Sequence, residues 1–315
     1  MIGVFDSGHG GLTILGELTA ALPKQRFIYL GDHAHAPYGN RSGPEIYELT
    51  RRSVERLFEM GCRLVILACN TASTIALRRL QQEWLAAHWP DHRILGVVVP
   101  TIEAITGLTW LQRHRTVPDR VGHVERTAIR APRLVGIFAT PATVRSQVYP
   151  IEIAKRSPHI RVVQQACREL VSQIENGASR ELMAATIAAD AQELASSLGG
   201  DRPDAIVLGC THFPLVRDLF EAELDGSIEL VSQPRQVALS LVDYLQRRPE
   251  FAGTTAGGAL TRIEASTLMT SGDPADASMR AGHLFGRPLA FRALPARTPG
   301  VAPSRLYSLR AAGSG

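Results

Sequence analysis

The stretches Leu64-Val65-Ile66-Leu67-Ala68-Cys69-Asn70-Thr71-Ala72-Ser73 and Ala205-Ile206-Val207-Leu208-Gly209-Cys210-Thr211-His212 decide the fold. In each, a short apolar run stops at a small residue and then a cysteine, as a buried strand does when it delivers a thiol to its C-terminal end. The two cysteines are 141 residues apart, and a second echo supports the first. Gly3-Val4-Phe5-Asp6-Ser7-Gly8 resembles Gly136-Ile137-Phe138-Ala139-Thr140-Pro141 at an offset of 133. Nearly equal offsets imply an old duplication, and so two lobes with one cysteine at equivalent places.

Around these stretches the chain alternates. Strand-like runs at 2–5, 27–31, 64–68, 94–99, 134–139, 160–164, 205–209, 228–231 and 262–269 are separated by segments of helical spacing. Such alternation predicts an α/β fold: two pseudo-symmetric lobes, each a mostly parallel sheet flanked by helices, with the site in the cleft between them. The expected first lobe is discontinuous, 1–99 plus about 213–286. The second is 100–212, interrupted by a basic insertion at 110–133. Residues 287–315, rich in Pro, Arg, Ala, Ser and Gly, are expected to form a poorly ordered tail.

The 315 residues suffice for two ordinary cores. No apolar run reaches the length of a membrane span. Met1 leads straight into Ile2-Gly3-Val4-Phe5 with no charged leader, and the four cysteines fit neither a zinc site nor a disulfide framework. The expectation is a cytoplasmic protein with free thiols. The net charge of +4 is uneven: Trp110–Arg133 carries +4 and Arg287–Gly315 carries +5, leaving the remainder at −5. The basic segments could bind nucleic acid, but they lack the interleaved aromatics of a stacking platform, so the reading is a solvated loop and tail.

In open parallel sheets ligands bind beyond the carboxyl ends of the strands. Cys69 and Cys210 lie at such ends, as do Asp6, Ser7, Asp32 and Thr140. Two thiols facing one carbon from opposite sides suit removal of a proton from one face and delivery to the other, which inverts a stereocentre. Only the thiolate acts as a base, so each cysteine needs a proton partner. His212, two residues after Cys210, fits that role, and Asp6 could serve Cys69 as a proton relay. Cys62 and Cys167 read as small buried hydrophobes. A different chemistry would make Cys210 a nucleophile with His212 as its base, giving a hydrolase or transferase; such a site needs no second cysteine.

The ordered motifs resemble those of the glutamate racemases, within the cofactor-independent aspartate/glutamate racemase superfamily. They are FDSGHGG at 5–11, YLGD at 29–32, PYG at 37–39, CNTAS at 69–73, GVVVP at 96–100, ATPATVRSQVY at 139–149, IENG at 174–177, LGCTHFPL at 208–215 and MTSGDP at 269–274. The resemblance implies interconversion of L- and D-glutamate without pyridoxal phosphate or metal, so no cofactor. It further implies a role in supplying D-glutamate for peptidoglycan, and hence in cell shape, and a homodimer. It assigns Cys69 to deprotonation of the D-enantiomer and Cys210 to the L-enantiomer, with Asp6 and His212 assisting. Ser7, Pro37, Tyr38, Gly39, Asn70, Thr71, Thr140, Thr143 and Thr211 match substrate-contacting positions, and Glu175 matches a glutamate near the substrate ammonium or the second cysteine. The nearest alternative is the same chemistry on aspartate or another amino acid, because one methylene is worth only about 1–3 kcal/mol in a pocket. The chain departs from the common pattern at His33-Ala34-His35-Ala36, at Arg168 and Ser172, and at Ser232-Gln233.

Overall fold

The computed structural model of the protein describes residues 1–107, 133–253, 263 and 266–296. The expected basic insertion, apart from Arg133, and the tail from 297 onward lie outside the described residues.

Among the described residues ten strands form two sheets. The larger runs in the order β10-β9-β2-β1-β3-β4 and contains β1 (Ile2–Asp6), β2 (Phe27–Gly31), β3 (Leu64–Leu67), β4 (Arg93–Gly96), β9 (Thr267–Thr270) and β10 (Phe291–Ala293). The smaller runs β6-β5-β7-β8, with β5 (Arg133–Ala139), β6 (Ile160–Ala166), β7 (Ala205–Gly209) and β8 (Glu229–Val231). Every pairing is parallel. This is the two-lobed α/β fold expected from the alternation.

The register makes the duplication visible. In the larger sheet Phe5 pairs with Leu67; in the smaller, Phe138 pairs with Leu208. These are the residues that the two sequence offsets equate. The strand order β2-β1-β3-β4 recurs as β6-β5-β7-β8.

Helices cover both faces of each sheet, as parallel strands buried on both sides require. On one face of the larger sheet Ile2, Val4, Tyr29 and Ile66 pack against Leu15 and Leu18 of the Leu12–Ala21 helix. On the other, Phe5, Leu30, Val65 and Leu67 meet Ile46, Val54 and Leu57 of the Gly43–Glu59 helix. That helix begins where its sequence says it should. Ser42 accepts from the Glu45 amide while the Glu45 carboxylate accepts from the Ser42 amide, a reciprocal cap. No helix among the described residues is long and apolar enough to cross a membrane.

Three expectations are corrected. Residues 213–231 were assigned to the first lobe, but β8 pairs with β7, and Leu219 and Phe220 pack in the second core. The chain returns to the first lobe after Val231, where Val237 and Leu241 of the Gln233–Arg247 helix join the first core. The run at 94–99 is not one strand: β4 stops at Gly96, and Pro100 lies in the first turn of the Val98–Thr106 helix, where a missing N–H costs nothing. The segment expected to be disordered from Arg287 contains β10, which extends the larger sheet beside β9.

Candidate active site

The cavity between the lobes is lined by Ser7, Pro37, Tyr38, Gly39, Cys69, Asn70, Thr71, Thr140, Glu175, Cys210, Thr211 and His212, with Gly8, Ala36 and Val171. The first twelve include all the catalytic and substrate-contacting residues named above except Asp6 and Thr143; Asp32, just beyond β2, is also outside the lining. Asp6 and Thr143 lie behind the wall, fully buried.

Cys69 lies two residues beyond β3 and caps the Asn70–Ile75 helix, so its side chain is turned back over the helix start, 3.5 Å from the Ala72 amide. The Ser7 hydroxyl lies 3.4 Å from its sulfur. Burial, with the Asp6 carboxyl next in importance, pushes the Cys69 thiol up to about 12. At neutral pH the ligand-free protein therefore holds Cys69 as a thiol.

Cys210 occupies the matching place after β7. Its sulfur lies 3.8 Å from Nδ1 of His212, and His212 Nε2 lies 2.6 Å from Glu175 Oε1. Burial works against a charge on His212, but the hydrogen bonds to Cys210 and Glu175 outweigh it and hold the imidazole well above its usual range. Glu175 is likewise buried, yet hydrogen bonds from His212 and His9 keep its carboxyl well below the usual range. A charged imidazole beside a sulfur is the partner that a thiolate base requires.

Asp6 does not bond Cys69 directly. It accepts from the Gly8 amide at 2.8 Å and from the Thr211 hydroxyl at 3.1 Å, the latter across the cleft. Burial raises its carboxyl above the ordinary range, against the pull of His212, so it is suited to carrying a proton. The lobes approach closely here because residue 10 is glycine. A Cβ at Gly10 would sit 2.5 Å from Thr211 Oγ1 and 2.6 Å from His212 Nδ1.

Thr140 caps the Pro141–Ser146 helix. Its hydroxyl donates to Thr143 at 3.1 Å, so the Thr71 hydroxyl, 2.9 Å away on the other lobe, donates to Thr140. Tyr38 is anchored by donating to Asp32 at 2.5 Å, and Asp32 also accepts from Ser271. His35 bonds Asp32 and His33 bonds Thr270, so the unusual His-Ala-His segment braces the turn that carries Tyr38.

The sequence reading missed three features. Asn70, which lines the cavity, also joins a buried amide network: its Oδ1 accepts from Tyr149 and Gln233 while its Nδ2 donates to Gln233 at 2.5 Å. Gln233 Nε2 also reaches Thr101, so both chain crossings between the lobes, at Thr101 and Gln233, are tied to the residue after Cys69. The only hint was that Gln233 departs from the family pattern. Val171 reaches the cavity with no polar signal at all, and His9 contacts Glu175 from a position that the motif leaves variable.

The family model described as Asp/Glu/Hydantoin racemase matches residues 96–239. A glutamate racemase of Phenylobacterium zucineum is 44% identical over 294 residues, covering 92% of this chain and 98% of that one. One of a Caulobacter species is 42% identical over 300 residues, covering 93% and 99%. Among solved structures, a glutamate racemase isoform of Bacillus anthracis superposes with a TM-score of 0.74 at 25% identity, covering 94% of this chain and 97% of that one. The Francisella tularensis enzyme, solved in complex with D-glutamate, gives 0.72 at 26% identity, with coverage of 94% and 97%.

Proposed function

The chain belongs to the glutamate racemase family, and we propose that it interconverts the enantiomers of glutamate with two thiols and no cofactor. The observation that carries the mechanism is the pairing of Cys69 and Cys210 at equivalent strand ends on opposite walls of one cavity.

Glutamate lies between the sulfurs with its Cα–H bond directed at one of them. Starting from L-glutamate, the Cys210 thiolate takes the α-proton and becomes a thiol, with His212 as its charged partner. The electron pair left on Cα takes the proton of the Cys69 thiol on the opposite face, giving D-glutamate and a Cys69 thiolate. Asp6 then supplies the route by which Cys69 regains a proton, and His212 the route by which Cys210 loses one. The reverse reaction exchanges the roles. No cofactor acts as an electron sink, so hydroxyl and amide donors already in place must stabilise the carbanion and the two carboxylates. Ser7 is such a donor on the cavity wall; Thr71, Thr140 and Thr211, whose hydroxyls bond Thr140, Thr143 and Asp6 in the ligand-free protein, turn to the substrate when it displaces those contacts, and Tyr38, held by Asp32, shapes the wall. Thr143 supports Thr140, Pro37 and Gly39 shape the wall, and Asn70 stiffens the start of the Cys69 helix.

The same reading makes the protein a cytoplasmic homodimer that supplies D-glutamate for peptidoglycan. Sedimentation of the purified chain tests the dimer. Proton NMR in deuterated water with L-glutamate, followed by chiral analysis, tests the activity: loss of the α-proton signal with growth of D-glutamate is expected. Exchange with L-aspartate and not with L-glutamate would reassign the substrate.

A further inference from the structure

His9 lies in the glycine-rich turn after β1 and is 1% exposed. Its Nε2 is 3.0 Å from the carbonyl oxygen of Ala277, which only accepts, so Nε2 carries a proton. Its Nδ1 is 2.7 Å from Glu175 Oε2. The backbone amide of His9 donates to Glu175 Oε1 at 3.2 Å. That oxygen also receives His212 Nε2 at 2.6 Å, and the remaining nitrogen of His212 faces Cys210.

We propose that His9 is a positioning residue for the second thiol: it clamps both oxygens of Glu175 from the opposite lobe, so that His212 donates through Nε2 and turns Nδ1 to Cys210. His9 belongs to the first lobe, whereas Glu175, His212 and Cys210 belong to the second. The proton partner of Cys210 is therefore complete only where the lobes meet. His9 makes no such contact on the Cys69 side: the hydroxyl beside Cys69, Ser7, comes from its own lobe, and its relay Asp6 is bridged across the cleft by Thr211 instead. The inference rests on the two-thiol reading and predicts an effect confined to one of the two proton transfers.

The test compares His9→Phe, which keeps a ring but no nitrogen, with His9→Asn, whose amide can stand where Nδ1 stands. L- and D-glutamate deuterated at Cα are each racemised in ordinary water. The isotope effect with the L-substrate reports transfer to Cys210, and that with the D-substrate transfer to Cys69. His9→Phe should lower kcat/KM about tenfold, the lower end of a general acid–base contribution being about a hundredfold. Its isotope effect should rise with the L-substrate and fall toward one with the D-substrate. His9→Asn should regain most of the rate and the wild-type isotope effects. Wild-type rates in His9→Phe, or equal changes in both isotope effects with no recovery in His9→Asn, would overturn the inference. If His9→Phe does not fold, Glu175→Gln withdraws the acceptor from the other side and must show the same asymmetry. Absence of racemisation by the wild-type chain would instead overturn the two-thiol reading.

Discussion

The two lobes repeat one backbone and differ in what surrounds the sulfur. β2-β1-β3-β4 and β6-β5-β7-β8 share order, direction and register, and each third strand is followed within two residues by a cysteine. Yet Cys69 meets a neutral hydroxyl and a buried carboxyl, whereas Cys210 meets an imidazole backed by a carboxylate. A duplicated fold preserves where a group stands, because strand ends are set by the whole core. It does not preserve that group's proton chemistry, which depends on two or three neighbours and can diverge at little cost to packing. Here the divergence leaves one thiol protonated and the other beside a charged imidazole, the state from which the first proton transfer starts.

The strongest way to break the comparison is to remove either sulfur. Cys69→Ser and Cys210→Ser should each lower racemisation roughly a thousandfold or more, since an alcohol is a far weaker base and a positioned acid or base contributes about 10²–10⁴. Because the enantiomers have equal free energy in water, kcat/KM must fall equally in both directions, which a chiral assay checks. Near-wild-type activity in either variant would remove that thiol from the mechanism.

Alkylation sharpens the contrast between the thiols without substrate. Iodoacetamide reacts with thiolate, and a thiol near 12 is about 10⁻⁴ thiolate at pH 8. Mass spectrometry at pH 8 should find Cys210 modified well before Cys69. The Cys69 rate should rise about tenfold per pH unit from pH 8 to 11, below its own titration. Equal rates at pH 8 would mean that the sulfurs do not differ as described.

A smaller effect concerns the brace specific to the first lobe. Burial and the neighbouring His9 lower the His33 imidazole to about 3. The folded protein then binds a proton there less readily than the unfolded chain, so the stability from neutral His33 is present above pH 6.5 and is lost as pH falls toward 3. Each pH unit below 6.5 costs up to about 1.4 kcal/mol. Thermal melts should show a shallower decline between pH 6.5 and 5 in His33→Gln than in the wild type. The smallest effect is the control: Cys62→Ser and Cys167→Ser, both buried in cores and outside the cavity, should racemise within about twofold of wild type where folded.

The architecture and most of the cavity were legible because they depend on local signals. Apolar runs ending in Cys-Asn-Thr or Cys-Thr-His announce a strand end, and two similar offsets announce a repeat. What was not legible depends on distant partners. β8 is three residues long, and its lobe is set by pairing with β7 rather than by its own composition. β10 hides in a Pro/Arg-rich segment with Arg292 and Ala293 exposed; its backbone pairing with β9 gives it away, and no side-chain pattern does. Pro100 fits a strand end and a first helical turn equally well. The amide pair of Asn70 and Gln233 spans 163 positions, and nothing local to either residue anticipates it.

The most direct test of the two-faced site follows the α-proton in single-thiol variants in deuterated water. Cys69→Ser retains Cys210 with its histidine and should exchange the α-proton of L-glutamate for deuterium without inversion, leaving D-glutamate untouched. Cys210→Ser should do the mirror image, exchanging D-glutamate alone. If either variant exchanged both enantiomers, or turned one into the other at the wild-type rate, one group would be serving both faces of Cα and the account of two opposed thiols would fail.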